Sequence, residues 1–163
     1  MVKVLNPPGK EPVSVNDFKA WMQGLPITAE QEPMVLSLLQ AGREEAERYT
    51  NRALCEQTLQ VVSDLSTVVL PRPPFRELKS VIDESGNDVT ERYEVDDTKL
   101  LAELHGEAGK VTVIYTAGCE EIPEKAKQAI LLYATWGWMH RGGDLTIPPA
   151  FYALLSKERV IPV

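Results

Sequence analysis

The spacing of apolar residues changes twice along this 163-residue chain, near residues 55 and 121. Outside those points, apolar side chains recur at the spacing of one face of an α-helix. Between them, short runs rich in β-branched residues are separated by turn residues, which is typical of strands. Because the links between these runs are too short for crossover connections, the strands are expected to be antiparallel. The sequence therefore predicts an α+β fold, a small bundle of three to four helices with an inserted antiparallel β-rich region.

This pattern also predicts how the chain is organised. The length is that of one ordinary domain, and no internal repeat or low-complexity tract divides it. We therefore expect a single domain over residues 1–163. Its predicted parts are helical segments 14–54 and 122–156, a β-rich insertion 55–121, and extended arms 1–12 and 157–163.

The first two helices have recognisable ends. Ser14 with Asp17 three residues later is a capping-box pattern, and the helix it begins is expected to reach Gln23 and to bury Phe18, Trp21 and Met22. Thr28 is the predicted N-cap of a second, longer helix, with Pro33 in its first turn and its end at Thr50-Asn51. Within it, Ala41 and Gly42 are small enough to let another helix approach closely.

The rest of the chain contains two further helices and several strands. One helix is predicted to open at Pro123 and end at 141–143, and a short one to span 149–156 and to bury Phe151, Leu154 and Leu155. The turn at 84–87 predicts a hairpin between strands 78–83 and 89–95. A second turn, around His105-Gly106, predicts a hairpin between 99–104 and 110–115. Pro71-Arg72-Pro73-Pro74 is interpreted as an extended connector.

The charge distribution excludes one class of function. The net charge is −7, and residues 55–121 alone, with six bases and fourteen acids, carry −8. Tight binding to a phosphate backbone needs clustered Lys and Arg, so a nucleic-acid grip is excluded. No apolar run approaches the roughly 18 residues of a membrane span, so no membrane partner is expected. Cys55 and Cys119 lack CxxC spacing and are expected to be free thiols in a reducing compartment.

Residues suited to catalysis are sparse. The two histidines, His105 and His140, lie 35 residues apart without an HExxH pattern. There is no glycine-rich phosphate-binding motif either, so we predict no enzyme, no bound metal and no cofactor. A remoter alternative is a small hydrolase that uses the acids of the β-rich region. Its candidate residues would be Asp96, Asp97, Glu120 and Glu121.

Surplus apolar surface near the C-terminus favours an assembly protein instead. Trp136 and Trp138 lie on different faces of one helix, so Trp138 belongs either to the core or to an interface. The tail Val160–Val163 is apolar and hard to bury within one small domain. Large apolar surfaces that a single domain leaves uncovered mark contacts with partners.

Several segments, in order and spacing, resemble the phage head–tail connector (adaptor) family, whose members complete the capsid vertex beneath the portal ring. The resemblance extends over nearly the whole chain and rests on these stretches: Val15 to Trp21; Ala46-Glu47-Arg48-Tyr49-Thr50-Asn51-Arg52-Ala53-Leu54; Leu70-Pro71-Arg72-Pro73-Pro74 before Leu78-Lys79-Ser80-Val81; Tyr93-Glu94-Val95-Asp96; Val113-Ile114-Tyr115-Thr116-Ala117-Gly118; Ile122 to Ile130; and Pro149-Ala150-Phe151-Tyr152-Ala153-Leu154-Leu155.

The resemblance implies a non-enzymatic structural protein of a tailed phage or prophage. Such proteins form a ring at the portal vertex, connect head to tail, and continue the channel through which double-stranded DNA passes without specific binding. The implied partners are the portal, neighbouring copies, and a downstream head-completion or tail protein. The protein would be made in the bacterial cytoplasm and reside at the head–tail junction of the virion. A DNA-binding or packaging accessory protein of a phage is the alternative.

Family members dock onto the portal through their C-terminal segment, which gives candidate interface residues here. The acids of the β-rich region either face the channel, where they would repel phosphates, or coat the outside. The candidate residues for contact with the portal or with neighbouring subunits are Trp138, Arg141, Phe151, Leu154, Leu155, Val160, Ile161 and Val163.

Overall fold

The computed structural model describes residues 2–141, 143 and 146–161. In that part of the chain, four α-helices accompany seven strands in two antiparallel sheets, which confirms the predicted α+β fold. The chain divides into two compact units. The helical unit comprises Lys10–Thr50 and Glu121–Val163, and the β-rich unit comprises Met1–Gly9 and Asn51–Glu120.

The helices of the helical unit begin at the caps that the sequence predicts. The Ser14 hydroxyl accepts a hydrogen bond from the Asp17 amide, and the Asp17 carboxylate accepts one from the Ser14 amide, which completes the capping box. A 3₁₀ turn capped by Thr28 precedes the long helix, which ends where Asn51 adopts a φ of 55°. The helices are α1 (Val15–Trp21), α2 (Glu32–Thr50), α3 (Glu124–Met139) and α4 (Pro149–Leu155).

Helices α2 and α3 pack closely through one glycine on each. A Cβ atom at Gly42 would lie 3.1 Å from Cδ1 of Tyr133, and one at Gly137 would lie 2.7 Å from Cδ2 of Leu38. The predicted close helix approach at Gly42 is therefore confirmed. Larger side chains at these two positions would push the helices apart.

A charged group lies inside the helical unit. The Arg43 guanidinium donates from Nε to Glu11 and from Nη1 to Glu47, at 2.8 Å in both cases, and its side chain is 6% exposed. Burial opposes the charged form, but the two carboxylates outweigh it and raise the pKa of Arg43. The pairing ties the segment before α1 to α2.

In helix α1 only one of the three burial predictions is confirmed. Phe18 is fully buried, whereas Trp21 is 45% exposed and Met22 is only partly buried. The indole Nε1 of Trp21 donates to the Thr135 hydroxyl at 3.1 Å, which holds its ring at the surface. Helix α1 is only two turns long, so its one buried side chain is Phe18.

The β-rich unit contains both sheets. The four-stranded sheet has the order β1-β2-β7-β4, and the three-stranded sheet has the order β3-β6-β5. The strands are β1 (Val2–Asn6), β2 (Gln57–Ser63), β3 (Thr67–Val69), β4 (Phe75–Asp83), β5 (Glu94–Asp96), β6 (Glu103–His105) and β7 (Val111–Ala117).

Strand pairing departs from the sequence prediction in three places. The N-terminal arm contains β1, which pairs with β2. Along its length β4 pairs with β7, and the hairpin predicted after it is confined to the turn at 84–87, where the Val89 amide donates to the Val81 carbonyl and Ile82 bridges Asp88. The segment 89–95 forms a 3₁₀ turn at Thr90–Arg92 and then β5, which joins the other sheet. Likewise β6 and β7 belong to different sheets, so the hairpin predicted around His105 does not form. Turn residues mark where the chain reverses but not which strand it meets next.

One apolar core fills the β-rich unit. Leu59, Val113 and Leu104 are fully buried in it, and Tyr115 is 1% exposed. The Tyr115 hydroxyl donates to the carbonyl of Pro71, and burial raises the pKa of this phenol. The connector 71–74, which the sequence predicts to be extended rather than part of a strand, thus lies against this core.

Candidate assembly surfaces

The two histidines lie at the surface. His105 Nδ1 lies 3.2 Å from the Thr67 hydroxyl and its Nε2 lies 3.5 Å from a Glu103 carboxylate oxygen, on an exposed sheet face. The His140 ring stacks on Trp136 with their centroids 3.7 Å apart, just after the end of α3. The hydroxyl, imidazole and carboxylate around His105 have the order of a nucleophile, a base and an acid, but the imidazole is 46% exposed, so the group lacks the water-excluding site in which such side chains act.

The acids proposed for a hydrolase are also engaged in ordinary surface contacts. Hydrogen bonds from the side chain and backbone of Thr98 lower the pKa of Asp96, so this carboxyl stays ionised. Glu120 pairs with Arg76 at 2.9 Å. A general acid requires the opposite, a carboxyl whose pKa is raised by burial. The geometry therefore gives the hydrolase alternative no support.

The described residues contain neither a candidate metal-binding cluster nor a candidate membrane-spanning helix. Among residues 2–141, 143 and 146–161, no group of three or more His, Cys, Asp or Glu side chains is placed to hold a metal ion. Within the same residues, no helix is both long and apolar enough to cross a bilayer.

Most of the predicted interface residues help to fold the helical unit. Phe151 and Leu155 are fully buried, Trp138 is 7% exposed and Val160 is 3% exposed. The Phe151 ring packs 5.7 Å from that of Tyr133. For these four residues an interface role stays a prediction, and it would require α4 or the tail to move away from its present position.

Three other predicted residues are accessible. Arg141 is exposed, with its guanidinium 4.2 Å from the centroid of the Trp138 ring, and Leu154 is partly exposed. Ile161 is 74% exposed, although the preceding residue, Val160, is anchored by its amide to the carbonyl of Thr50 at 2.8 Å. Val163 lies outside the described residues.

The outward face of α3 carries an apolar surface that the sequence analysis did not select. Leu132, Trp136 and Met139 follow one another at helical spacing; the first two are partly exposed and Met139 is 64% exposed. Trp21 extends this surface through its hydrogen bond to Thr135. We call Trp21, Leu132, Trp136 and Met139 the α3 patch. The apolar residues all round α3 could have indicated it, since a helix of that kind is normally buried on every side.

A second surface of distinct chemistry is the outward side of the three-stranded sheet. In register across β3, β6 and β5, Val69 lies opposite Glu103, which lies opposite Asp96; in the next row, Thr67 lies opposite His105, which lies opposite Glu94. Val69 is 48% exposed, whereas the alternate residues Val68 and Leu104 are buried. We call Thr67, Val69, Glu94, Asp96, Glu103 and His105 the acidic sheet face.

Solved structures of similar fold come from particle necks. The chain matches, over 100% of its length and 97% of theirs, a chain from the neck of an empty GTA particle computed with C6 symmetry (TM-score 0.80, 18% identity) and one from the virion of a native gene transfer agent (GTA) particle (TM-score 0.80, 20% identity). It similarly matches a chain from the neck of a native GTA particle computed with C12 symmetry (TM-score 0.76, 19% identity).

No protein-family model matches the chain, and neither does any curated protein. The structural matches are nevertheless nearly complete over both chains, so this chain has the fold of those neck and virion components. At the level of the fold, this confirms the resemblance to head–tail connectors.

Proposed function

We propose that this chain is a structural, non-enzymatic protein of a tailed phage, prophage or related particle, and that it forms a ring at the portal vertex. There it connects head to tail and continues the DNA channel. The observation that carries the proposal is the full-length match in fold to chains of particle necks, two of them computed with rotational symmetry. The surface placement of the histidines and acids supports the absence of catalysis.

The proposal names the neighbours of such a ring. These are the portal protein on one side, further copies of the chain within the ring, and a head-completion or tail protein on the other side. The protein is made in the bacterial cytoplasm and ends at the head–tail junction of the virion. DNA passes through the ring without specific binding.

Charge supports passage of DNA rather than a grip on it. Of the 24 acids in the chain 13 belong to the β-rich unit, which has eight bases, so this unit as a whole repels phosphates. This opposes the alternative of a DNA-binding accessory protein. A gel-shift assay that shows specific binding with a steep salt dependence would favour that alternative.

The C-terminal tail is the proposed contact with the portal. Ile161 offers an exposed apolar side chain next to a residue that the fold holds in place, with Arg141 and Leu154 as further accessible candidates. An apolar residue that is exposed in the free chain and enters a pocket on binding is the usual anchor of such contacts.

Two truncations test the proposal. Removal of residues 161–163 should leave the helical unit folded, because Phe151 and Val160 remain, and should weaken association with the portal ring in a co-sedimentation assay. From the sequence alone, removal of 147–163 is expected to leave a folded monomer that no longer binds the portal. Because Phe151 and Leu155 of α4 are fully buried, this deletion should instead unfold the helical unit, and it serves as the contrasting variant. Unchanged binding to the portal by the shorter truncation would contradict the docking role of the tail.

A further inference from the structure

The α3 patch is apolar surface that the described part of the chain covers only in part. Helices α1, α2 and α4 pack around α3, yet Met139 remains 64% exposed and Trp21 45% exposed. Trp and Met are among the residues enriched in the cores of protein interfaces. A helix with apolar residues on every side is expected to be buried on every side, so the patch points to a partner in the assembly.

Charge identifies the kind of partner. The charges around the patch are mainly basic: residues 125–141 contain two lysines, one arginine and one histidine, while the acids Asp17 and Glu124 lie beside Trp21, where Glu124 pairs with Lys127. Lys125 lies one helical repeat before Leu132 on the same face of α3, and His140 stacks on Trp136 at the other end. A partner of matching chemistry presents a small apolar area bordered by carboxylates.

The acidic sheet face of the chain itself has that chemistry. Val69 provides the apolar centre, and Leu100, 61% exposed, lies in the turn between β5 and β6. Around them stand Glu94, Asp96 and Glu103; Lys99 pairs with Glu103 at 2.8 Å, so the surplus negative charge lies on Glu94 and Asp96. Hydrogen bonds from Thr98 lower the pKa of Asp96, which keeps its carboxylate charged. The two surfaces are complementary in both apolar content and sign of charge.

We infer that the α3 patch of one copy binds the acidic sheet face of the next copy. Because the two surfaces differ, the contact is heterologous, and each copy retains one free surface of each kind until the chain of contacts closes into a ring. The inference rests on the proposed ring and adds which surfaces build it. It also assigns the acids of β5 and β6 to subunit contacts rather than to the lumen.

Substitutions in the two surfaces test the inference. Met139→Asp should weaken self-association by at least about tenfold, because it places a carboxylate in the apolar centre and opposite other carboxylates. Leu25→Asp is the matched control. Leu25, like Met139, is a large apolar residue on the surface of the helical unit, with 49% of its area exposed, but it lies outside the patch. Sedimentation velocity, with the chain alone and with the portal ring, measures the association, and circular dichroism verifies folding.

A charge exchange provides a readout that misfolding would not mimic. Lys125→Glu and Glu94→Lys should each weaken association about two- to fivefold, as expected of surface charges, and the double variant should restore it. Restoration requires that the two positions meet across a subunit boundary. Weakening without restoration would overturn the inference.

Cross-linking tests the contact directly. In a Cys119→Ser background, a Met139→Cys chain mixed with a Val69→Cys chain should give a mixed covalent dimer with a short bis-maleimide reagent, whereas Leu25→Cys with Val69→Cys should not. Rings that form without this cross-link, and that tolerate Met139→Asp, overturn the inference and leave the proposed function standing. A wild-type chain that forms no ring, alone or on the portal, overturns both.

Discussion

The helical unit and the β-rich unit place their charged groups differently. The helical unit buries Arg43 between Glu11 and Glu47, whereas the β-rich unit has an apolar core and keeps its acids on the outside. Buried charges constrain the fold, because each must find its partner or remain unpaired at high cost. Exposed charges add little to stability and are therefore available for recognition. The helical unit thus uses its buried charge for folding, whereas the exposed charges of both units are available for partners.

The largest test of this comparison removes the buried cation. Arg43→Met leaves two carboxylates uncompensated in the helical unit and should lower the free energy of unfolding by about 3–5 kcal/mol. The loss should shrink as the pH falls, because protonation of the two carboxyls relieves it. Urea unfolding at two pH values measures it. Arg48→Met, at an arginine whose side chain is 70% exposed, is the control and should change stability little; equal losses from the two variants would contradict the comparison.

A core substitution makes the corresponding change in the β-rich unit. Leu104→Ala should cost about 2–5 kcal/mol, through lost burial and the cavity left behind. Hydrogen exchange should show reduced protection in β3, β5 and β6. Leu100→Ala, at a largely exposed leucine nearby in the sequence, should be almost neutral. If Leu104→Ala were as mild as Leu100→Ala, the apolar core would not be what holds this unit.

A cap substitution in the helical unit should have a smaller effect. Ser14→Ala removes the hydroxyl that accepts from the Asp17 amide and should cost about 0.5–2 kcal/mol. It also removes the hydrogen bond that chiefly lowers the pKa of Asp17, so that pKa should rise, which NMR titration can follow. Ser37→Ala, at an exposed serine of α2, is the control. A Ser14→Ala chain with unchanged stability and an unchanged Asp17 titration would contradict the role of the cap.

The smallest expected effect concerns the exposed acids of the β-rich unit. Hydrogen bonds from neighbouring residues lower the pKa values of Asp83, Asp88 and Asp96 below the ordinary 3.8. Their contribution to stability is complete above that ordinary value and is lost as the pH falls through the lower folded values. Changing all three to Asn should therefore flatten the decline in stability below about pH 4. A decline as steep as in the wild type would show that these acids do not contribute to it.

Local signals explain which elements could be predicted. The capping box at Ser14, the stop at Asn51 and the small residue at Gly42 each act within a few residues, and all three predictions are confirmed. Strand partners are set by distant parts of the chain. β7 lies between β2 and β4, and β1 joins β2 from about fifty residues earlier, so turn residues alone could not reveal these pairings.

Some of the candidate interface residues could likewise be predicted from local sequence, and others could not. The apolar spacing of the short helix predicted burial of Phe151, Leu154 and Leu155; this is confirmed for Phe151 and Leu155, whereas Leu154 is partly exposed. The same sequence could not separate burial in the core from burial in an interface, because a short apolar helix has the same composition in both. The sequence left Trp138 open between the two, and the structure places it in the core, against Phe18. The α3 patch could have been predicted, since the spacing of Leu132, Trp136 and Met139 follows from the sequence alone.

Electron microscopy of the purified protein, alone and with its portal ring, tests the central claim most directly. The account predicts a closed ring of copies, coaxial with the portal and open at its centre for DNA. Protein that stays monomeric and does not bind the portal ring would contradict it. Protein that binds elsewhere on the particle would contradict it too.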